Sequence, residues 1–282
     1  MIDLHTHSTA SDGTDAPAQV MEAAAAAGLT TVALTDHDTT SGWSEATDAA
    51  VRLGVALVRG AEISALAETA AGRVSVHLLA YLHDPAHPAL LAELEKTRAD
   101  RETRAQRMVV RLAEDYPITW DDVLAQTEPG TTIGRPHLAD ALVASGVVGD
   151  RDEAFATMLR PGTRYYVGHY APDAADVVRA VRDAGGVPVF AHPGADARGR
   201  IVPDSTIAEL AAAGLAGLEV DHRDHTPAMR DHLRDLAGAL GLLVTGSSDY
   251  HGRGKLNRIG ENTTAREVLE AIEAQGKLDV VR

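Results

Sequence analysis

The chain has 282 residues, a formal net charge of −15 and no cysteine. An acidic surface disfavours long nucleic acid, because nonspecific binding requires Lys and Arg side chains that neutralise phosphates. The absence of cysteine excludes disulfides, thiolate metal ligands and Cys nucleophiles, so any metal ion must be bound through nitrogen and oxygen atoms.

The sequence also predicts a cytoplasmic protein without a membrane span. It contains no apolar run of about 18 residues, the length that a membrane helix needs. No basic segment of the kind that opens a signal peptide precedes the first predicted strand.

The first predicted strand leads directly into a pair of histidines. Ile2 and Leu4 alternate as in a strand, and His5 and His7 follow two positions apart. In extended backbone, side chains at i and i+2 lie on one face, so these imidazoles can converge on one metal ion. Alone, the pair is a weak signal, because such pairs also occur by chance on surfaces.

Strand and helix patterns alternate over the first 82 residues. Helices are predicted at 17–27 and 42–53, each ending at a glycine. Strands are predicted at 30–34, 55–58 and 74–82. Polar residues that lie in or after these strands are His37, Glu62 and His77.

This alternation breaks at residue 83. The next segment, 84–165, is predicted to be an all-helical insertion, because no strand pattern interrupts its helices. The first of these helices has an arginine-rich face, which we interpret as a solvated surface with ion pairs inside the helix rather than as a binding face. The insertion's predicted helices are 90–114, 120–126, 136–144 and 152–159, and the arginines are Arg98, Arg101, Arg104, Arg107 and Arg111.

The alternation resumes after the insertion. His192 follows one predicted strand, and Asp249 and His251 follow the last. The pattern predicts parallel strands with right-handed crossovers, in a barrel or a doubly wound sheet, and both architectures gather functional residues at the carboxyl ends of strands. Strands are predicted at 187–191, 218–220 and 242–245, helices at 173–184, 204–213, 227–240 and 264–274, and a marginal eighth strand at 278–281.

Nine polar residues are candidate metal ligands. Six imidazoles and three carboxylates are too many for one tetrahedral zinc and enough for two or three ions with open positions. Such ions would lower the pKa of a bound water and neutralise charge on a phosphoryl or carbonyl oxygen. The candidates are His5, His7, Asp12, His37, Glu62, His77, His192, Asp249 and His251.

Five short motifs of this chain, in their order along the sequence, resemble those of the PHP (polymerase and histidinol phosphatase) family. The resemblance is closest to stand-alone bacterial enzymes that act on nucleotides, among them a nucleoside 3′,5′-bisphosphate phosphatase and a 5′-to-3′ exoribonuclease. It implies an α/β fold, a distorted (β/α)7 barrel formed by residues 1–83 and 166–282, with 84–165 as a small helical insertion. The motifs are His5-Thr-His7, Thr35-Asp-His37, Gly60-Ala-Glu62, His192-Pro193 and Ser248-Asp-Tyr-His251.

The resemblance also implies three divalent ions, of manganese, iron or zinc. The resemblance alone assigns the candidate ligands to the individual ions, as follows. One ion would be bound by His5, His7, Glu62 and Asp249, a second by Glu62, His77 and His192, and a third by Asp12, His37 and His251.

A segment of the insertion, Gly134-Arg135-Pro136-His137, matches one that contacts the substrate phosphate in this subgroup. An Arg fork binds phosphate oxygens in pairs, and a helix N-terminus favours anions. A helix start with a chance arginine is the simpler alternative. The resemblance implies that Arg135 and His137 bind substrate and that they act in catalysis together with His192 and Asp249.

We therefore predict a metal-dependent phosphoesterase in which a metal-bridging hydroxide attacks phosphorus. The expected substrate is a small nucleotide, either a nucleoside 3′,5′-bisphosphate or the 5′ end of short RNA. The alternatives are a histidinol-phosphate phosphatase, a metal-dependent amide or lactone hydrolase, and a non-catalytic nucleotide-binding module. The last is disfavoured because every motif ligand is present.

Several polar residues stay unassigned. His222 and His225 could donate a proton or contact substrate, but an exposed loop role is the simpler interpretation. Asp36 and Asp38 could orient imidazoles or cap the following helix. No functional role is predicted for His83, His87, His169 and His232.

Overall fold

The computed structural model describes residues 1–168, 170–196 and 199–282, so His169 lies outside the described residues. Seven strands form one sheet in the order in which they occur along the chain. The strands are β1 (Ile2–Asp3), β2 (Thr31–Leu34), β3 (Ala56–Ala67), β4 (Val74–Tyr81), β5 (Val187–Phe190), β6 (Gly217–Asp221) and β7 (Leu243–Gly246).

One strand runs against the others. β4 is antiparallel to both of its neighbours, whereas the remaining pairs are parallel. The prediction of parallel strands throughout was therefore wrong for β4. Residues 68–73 are too few for the crossover of a dozen residues or more that parallel strands need. β3 is also longer than predicted, so Glu62 lies within it and not at its end.

Contacts beyond the first and last strands bring the two edges of the sheet together. Thr6 and Tyr250 form a parallel bridge, and the His7 amide donates to the Tyr250 carbonyl at 2.8 Å. The sheet is thus a nearly closed seven-stranded barrel, and the predicted barrel architecture is confirmed. Val281 forms an isolated bridge with Leu57, so 278–281 is not an eighth strand of this sheet.

Helices pack on the outside of the barrel through apolar faces. α2 ends at Gly54, whose φ of +67° is easily reached by glycine, as the sequence predicts. The barrel helices are α1 (Pro17–Ala26), α2 (Trp43–Leu53), α7 (Ala174–Asp183), α8 (Asp204–Ala212), α9 (Pro227–Leu240) and α10 (Arg266–Glu273).

Helices alone make up the regular structure between β4 and β5 in the described residues of that segment. They have an apolar core of their own, which includes Met108, Leu112 and Leu138. The bounds 84 and 165 for the insertion stay a prediction. The helices are α3 (Pro88–Leu112), α4 (Trp120–Leu124), α5 (Arg135–Ala144), α6 (Arg151–Ala154) and a π-helical turn (Phe155–Leu159).

The interpretation of the α3 arginine face as a solvated surface was wrong for two of its members. Arg101 and Arg104 are only 9% and 5% exposed. Arg101 donates to Asp38 Oδ2 at 2.8 Å, and Arg104 donates to the Val167 carbonyl at 2.8 Å. α3 therefore joins the insertion to the mouth of the barrel through its arginines.

No helix in the described part of the chain combines the length and the apolar character required to cross a membrane. The cytoplasmic location stays a prediction.

Candidate metal centre

The segments after β1 and β7 bring two imidazoles and a carboxylate together. The Nε2 atoms of His5 and His7 are 3.0 Å apart, on one side of the extended segment, as their spacing predicts. Both nitrogens lie within 3.5 Å of Asp249 Oδ1. These three residues form one buried group that could bind a metal ion.

Glu62 lies at the middle of the centre and faces five imidazoles. Its Oε1 atom is 2.8 Å from His77 Nδ1 and 3.1 Å from His192 Nε2. Its Oε2 atom faces the other three nitrogens, at distances of 3.1 to 3.3 Å. Because each oxygen faces a different set, this carboxylate has the geometry to bridge two ions. The three nitrogens belong to His5, His7 and His37.

A second group of potential ligands surrounds Asp12. His251 Nε2 is 3.2 Å from Asp12 Oδ1, and His37 Nε2 is 3.7 Å from Asp12 Oδ2. His7 belongs to the same group through Nδ1, which the family partition does not include. His37 also forms a third group, with Glu62 and His77. The structure thus brings all nine candidates into one centre.

The nitrogen and oxygen atoms at this centre are better suited to coordinating divalent cations than to forming hydrogen bonds with one another. Five buried atoms, four in the centre and one on the neighbouring His222, lack a well-oriented hydrogen bond among the described residues, although each lies 2.8 to 3.6 Å from an oppositely charged group. Leaving such an atom unsatisfied costs about 1–3 kcal/mol, whereas coordination would satisfy it. Imidazole nitrogen and carboxylate oxygen suit zinc, iron and manganese. The five atoms are Asp12 Oδ1, His37 Nδ1, His77 Nδ1, His222 Nε2 and His251 Nε2.

The pKa values of His5 and His7 are raised beside the buried carboxylates of the centre, whereas burial lowers those of His37 and His251. Burial acts to lower the pKa of His7, but hydrogen bonds with Asp249 and Glu62 outweigh it and raise the pKa to about 9. Burial acts to raise the pKa of Glu62, but the surrounding imidazoles hold it well below its usual range. Metal binding at His5 and His7 would displace their protons, so it should release protons.

Glu219 in β6 orients two of the candidate ligands, and the sequence interpretation missed it. Its Oε1 atom accepts a hydrogen bond from His5 Nδ1 at 3.0 Å, and its Oε2 atom accepts one from the His192 amide at 2.7 Å. Ser247 Oγ also donates to it. Carboxylates that bind the outer nitrogen of a ligating imidazole fix its orientation and tautomer. The signal was an acidic residue in the middle of the predicted strand 218–220.

Asp36 and Asp38 hold segments that carry ligands and do not cap α2. The Ser8 amide donates to Asp36 at 2.8 Å, and Ser11 Oγ donates to it at 2.6 Å. The amide of Ser64 donates to Asp38 at 2.8 Å. The sequence left open whether they orient imidazoles or cap the helix; their hydrogen bonds from Ser8, Ser11 and Ser64 instead hold the segment after His7 and strand β3 in place.

Three non-glycine residues near the centre have left-handed backbone. The φ angles of Asp38, His192 and Asp249 are +53°, +33° and +54°. Such conformations cost of order 1–3 kcal/mol each and persist where the surroundings hold them, typically at functional sites. For His192, the hydrogen bond from its amide to Glu219 supplies that restraint.

Two residues beside Asp249 were not assigned from the sequence. His222 is buried, and its Nε2 atom is 3.6 Å from Asp249 Oδ2, so it is not an exposed loop residue. Lys255 Nζ is 3.0 Å from the same oxygen. His225 lies behind them, where it accepts a hydrogen bond from the Gly194 amide at 3.0 Å and thereby holds the loop after His192.

Arg135 and His137 lie at the start of α5, outside the cluster of ligands. His137 Nδ1 accepts a hydrogen bond from the Gly134 amide at 3.0 Å, and Nε2 donates to the Ser11 carbonyl at 2.9 Å. Because the backbone occupies both ring nitrogens, this geometry favours a positioning role for His137. Arg135 donates to the Leu159 carbonyl at 3.2 Å. The roles of both residues in substrate binding and catalysis stay predictions.

Comparison with known proteins identifies the family. The PHP domain family matches residues 3–114. A 3′,5′-nucleoside bisphosphate phosphatase from Chromobacterium violaceum is 37% identical over 258 residues, which are 91% of this chain and 89% of the relative. This chain belongs to the PHP family.

Other known proteins are similar to this chain over most of their length. A phosphoribosyl 1,2-cyclic phosphate 1,2-diphosphodiesterase from Eggerthella lenta is 36% identical, covering 92% of this chain and 97% of the relative. A 5′-3′ exoribonuclease from Haemophilus influenzae is 34% identical, covering 88% and 89%. A solved structure from Bifidobacterium adolescentis, described as a candidate metal-dependent phosphoesterase, is 46% identical with a TM-score of 0.94, covering 98% of this chain and 96% of that one.

These similarities confirm the family, the barrel fold and the class of reaction predicted for this PHP protein, hydrolysis of phosphoesters. The donor set and the similarity to a metal-dependent phosphoesterase support the expected requirement for divalent metal ions.

Proposed function

We propose that this protein is a divalent-metal-dependent phosphatase of nucleoside 3′,5′-bisphosphates. The observation that carries the proposal is the buried centre in which Glu62 faces five imidazoles. The name of the Chromobacterium violaceum relative, 37% identical over 91% of this chain, supports the choice of substrate.

We infer three ions, of manganese, iron or zinc, held among the nine candidate ligands, eight of which fall into three overlapping groups in the structure. Glu62 and Asp249 would hold ions, and Glu219 would keep His5 and His192 in place for them. Bound divalent ions supply Lewis acidity at phosphoryl oxygens and lower the pKa of water to near neutrality.

The chain's own residues provide the remaining features of such a site. Burial of His5, His7 and Glu62 excludes bulk water and strengthens charge interactions. Lys255 offers a positive charge beside Asp249, and Arg135 offers a guanidinium at the edge of the insertion.

A cleft of about 550 Å³ lies between α3 and residues 127–133. It borders the barrel mouth, because Thr131 Oγ1 donates to the Thr9 carbonyl at 2.7 Å and Arg98 donates to Thr39 Oγ1 at 3.3 Å. Its volume is in the range of sites for small ligands, so it suits the nucleoside part of a substrate. The acidic chain suits a small nucleotide or a short RNA end rather than a long polymer.

The test is release of inorganic phosphate by manganese-loaded protein from a nucleoside 3′,5′-bisphosphate. A 5′-phosphorylated dinucleotide, followed by release of the mononucleotide, and histidinol phosphate, followed by release of inorganic phosphate, should be assayed beside it. We expect the bisphosphate to have the highest kcat/KM. Faster turnover of the dinucleotide would favour exoribonuclease action, faster turnover of histidinol phosphate would favour the other branch of the family, and no turnover of any of them would overturn the proposal.

A further inference from the structure

Lys255, in the loop 252–258 that follows the last candidate metal ligands, contacts one oxygen of Asp249. Its Nζ atom is 3.0 Å from Asp249 Oδ2. The other oxygen, Oδ1, is the one nearest to the imidazoles of His5 and His7, at 3.5 and 3.4 Å. Because the two oxygens have different partners, the contact with Lys255 restrains rotation of the carboxylate.

Asp249 is a residue that requires restraint. Its φ of +54° is a strained backbone conformation for a non-glycine residue and persists only where the surroundings hold it. Its side chain is 1% exposed, so the charge requires partners. The side chain of Lys255 is 32% exposed, so water screens the repulsion between its charge and a bound cation. We therefore expect restraint of the carboxylate to be the larger effect of Lys255 on metal binding.

The two ends of the loop 252–258 are attached to the segments that follow β1 and β7. The Arg253 amide donates to Thr14 Oγ1 at 2.8 Å, and Asn257 Nδ2 donates to the Ser248 carbonyl at 2.6 Å. Between these attachments, Leu256 is 86% exposed. Burial of Leu256 therefore does not hold the middle of the loop in place.

Arg151, at the start of α6, reaches the middle of this loop from the insertion. Its Nη1 atom donates to the Gly254 carbonyl at 3.1 Å. A Cβ atom at position 254 would collide with the guanidinium, so the arginine lies directly on the backbone of the loop. Asp140 in α5 accepts two hydrogen bonds from the same guanidinium, at 2.6 and 2.5 Å. Such a paired bond fixes the orientation of the arginine as well as its position.

We propose that Arg151 is a positioning residue for the metal centre. Through the Gly254 carbonyl it keeps Lys255 against Asp249, and Lys255 in turn fixes the carboxylate that faces the imidazoles. This inference rests on the metal centre of the proposed function. It links α6, in the insertion, to a ligand that the segment after β7 carries.

Manganese titration of the metal-free proteins tests the proposed link. Lys255→Met should bind manganese roughly tenfold or more weaker than wild type, as expected for loss of an outer partner of a ligand. Arg151→Met should bind it about fivefold weaker, as for one lost hydrogen bond. Arg151→Lys, which keeps the charge but loses the fork, should lie between Arg151→Met and wild type. Arg160→Met removes an exposed arginine of the insertion and should leave the affinity unchanged.

The double variant distinguishes action through Lys255 from a general effect on the fold. If Arg151 acts through Lys255, the protein that carries both Arg151→Met and Lys255→Met should bind manganese no more weakly than Lys255→Met alone. Losses that multiply in the double variant would overturn the inference. Tighter manganese binding by Lys255→Met would also overturn it, because the ammonium group would then only repel the metal ion.

Amide hydrogen exchange of the metal-free proteins measures the attachment of the loop itself. Amides of residues 252–258 should exchange about fivefold faster in Arg151→Met than in Arg160→Met, whereas those of β7 should exchange equally if both variants are folded. Equal exchange of the loop in the two variants would overturn the inference. Wild-type protein that binds manganese and shows these differences, but hydrolyses no phosphoester, would overturn the proposed function only.

Discussion

A single buried carboxylate, Glu219, holds two candidate ligands that come from different strands. It accepts hydrogen bonds from the His5 ring and from the His192 amide, and Ser247 also donates to it. The pKa of Glu219 reflects this: burial acts to raise it, but the charge of His5 keeps it well below its usual range. The orientation of the metal ligands therefore depends on a residue that binds no metal.

Replacing Glu219 by Gln should weaken metal binding about tenfold to a hundredfold, the usual effect of losing such an outer partner. Glutamine has one acceptor oxygen in place of two, so it can accept from the His5 ring or from the His192 amide on the other side, and one of the two ligands loses its restraint. The measurement is a manganese titration of the metal-free variant, with exposed Glu209→Gln in α8 as control. Equal affinities of the two variants would show that Glu219 does not orient the ligands.

The position of a site residue along the chain decides whether the sequence alone could predict it. His5, His7 and His37 lie within four residues of the ends of short strands, so their position alone predicted convergence. Glu219 was missed because a buried acid inside a strand has no spacing signal, and its partner His5 is 214 residues away. His222 was left open because burial of a loop depends on the whole barrel.

At the scale of elements, α3 connects the insertion to the loop after β2. Arg101 reaches Asp38 Oδ2 at 2.8 Å and Ser64 Oγ at 2.5 Å. The sequence misassigned this face because arginines at intervals of three resemble a solvated stripe until another layer covers them. β4 was likewise assigned the wrong direction, because strand patterns carry no direction and the short connection 68–73 decides it.

Replacing Arg101 by Met should destabilise the protein by about 3 kcal/mol, because it leaves the fully buried carboxylate of Asp38 without its cation. Urea unfolding of the metal-free protein measures the change. Arg107→Met on the exposed side of α3 should change the free energy of unfolding by less than about 0.5 kcal/mol. A similarly small effect in Arg101→Met would mean that this ion pair does not fasten α3 to the barrel.

At the scale of the whole molecule, stability should depend on pH through buried groups outside the metal centre. Burial lowers the pKa of His83 to about 4, against about 6.5 in the unfolded chain. The unfolded state therefore binds more protons between these values. The contribution of His83 is fully present above pH 6.5 and is lost as the pH falls toward 4. Asp3 acts in the opposite sense, because burial raises its pKa to about 6.

A variant isolates the His83 contribution from the other groups. Wild-type protein should lose about 2 kcal/mol more stability than His83→Leu when the pH falls from 7 to 5, because only the wild type must keep this imidazole neutral. Chemical unfolding of both metal-free proteins at the two pH values gives the difference, to which Asp3 contributes equally in each. Parallel losses in the two proteins would show that His83 is not held neutral by the fold.

The central claim is that nine side chains at the barrel mouth bind the divalent ions that hydrolysis requires. Elemental analysis of manganese-loaded protein, combined with phosphate release from a nucleoside 3′,5′-bisphosphate, tests it most directly. Glu62→Gln, with exposed Glu68→Gln as control, removes the carboxylate that faces five imidazoles. We predict that phosphate release rises with bound manganese up to three ions per chain, and that Glu62→Gln loses both. Folded wild-type protein that hydrolyses the substrate without bound metal, or retains no metal when loaded, would contradict the account.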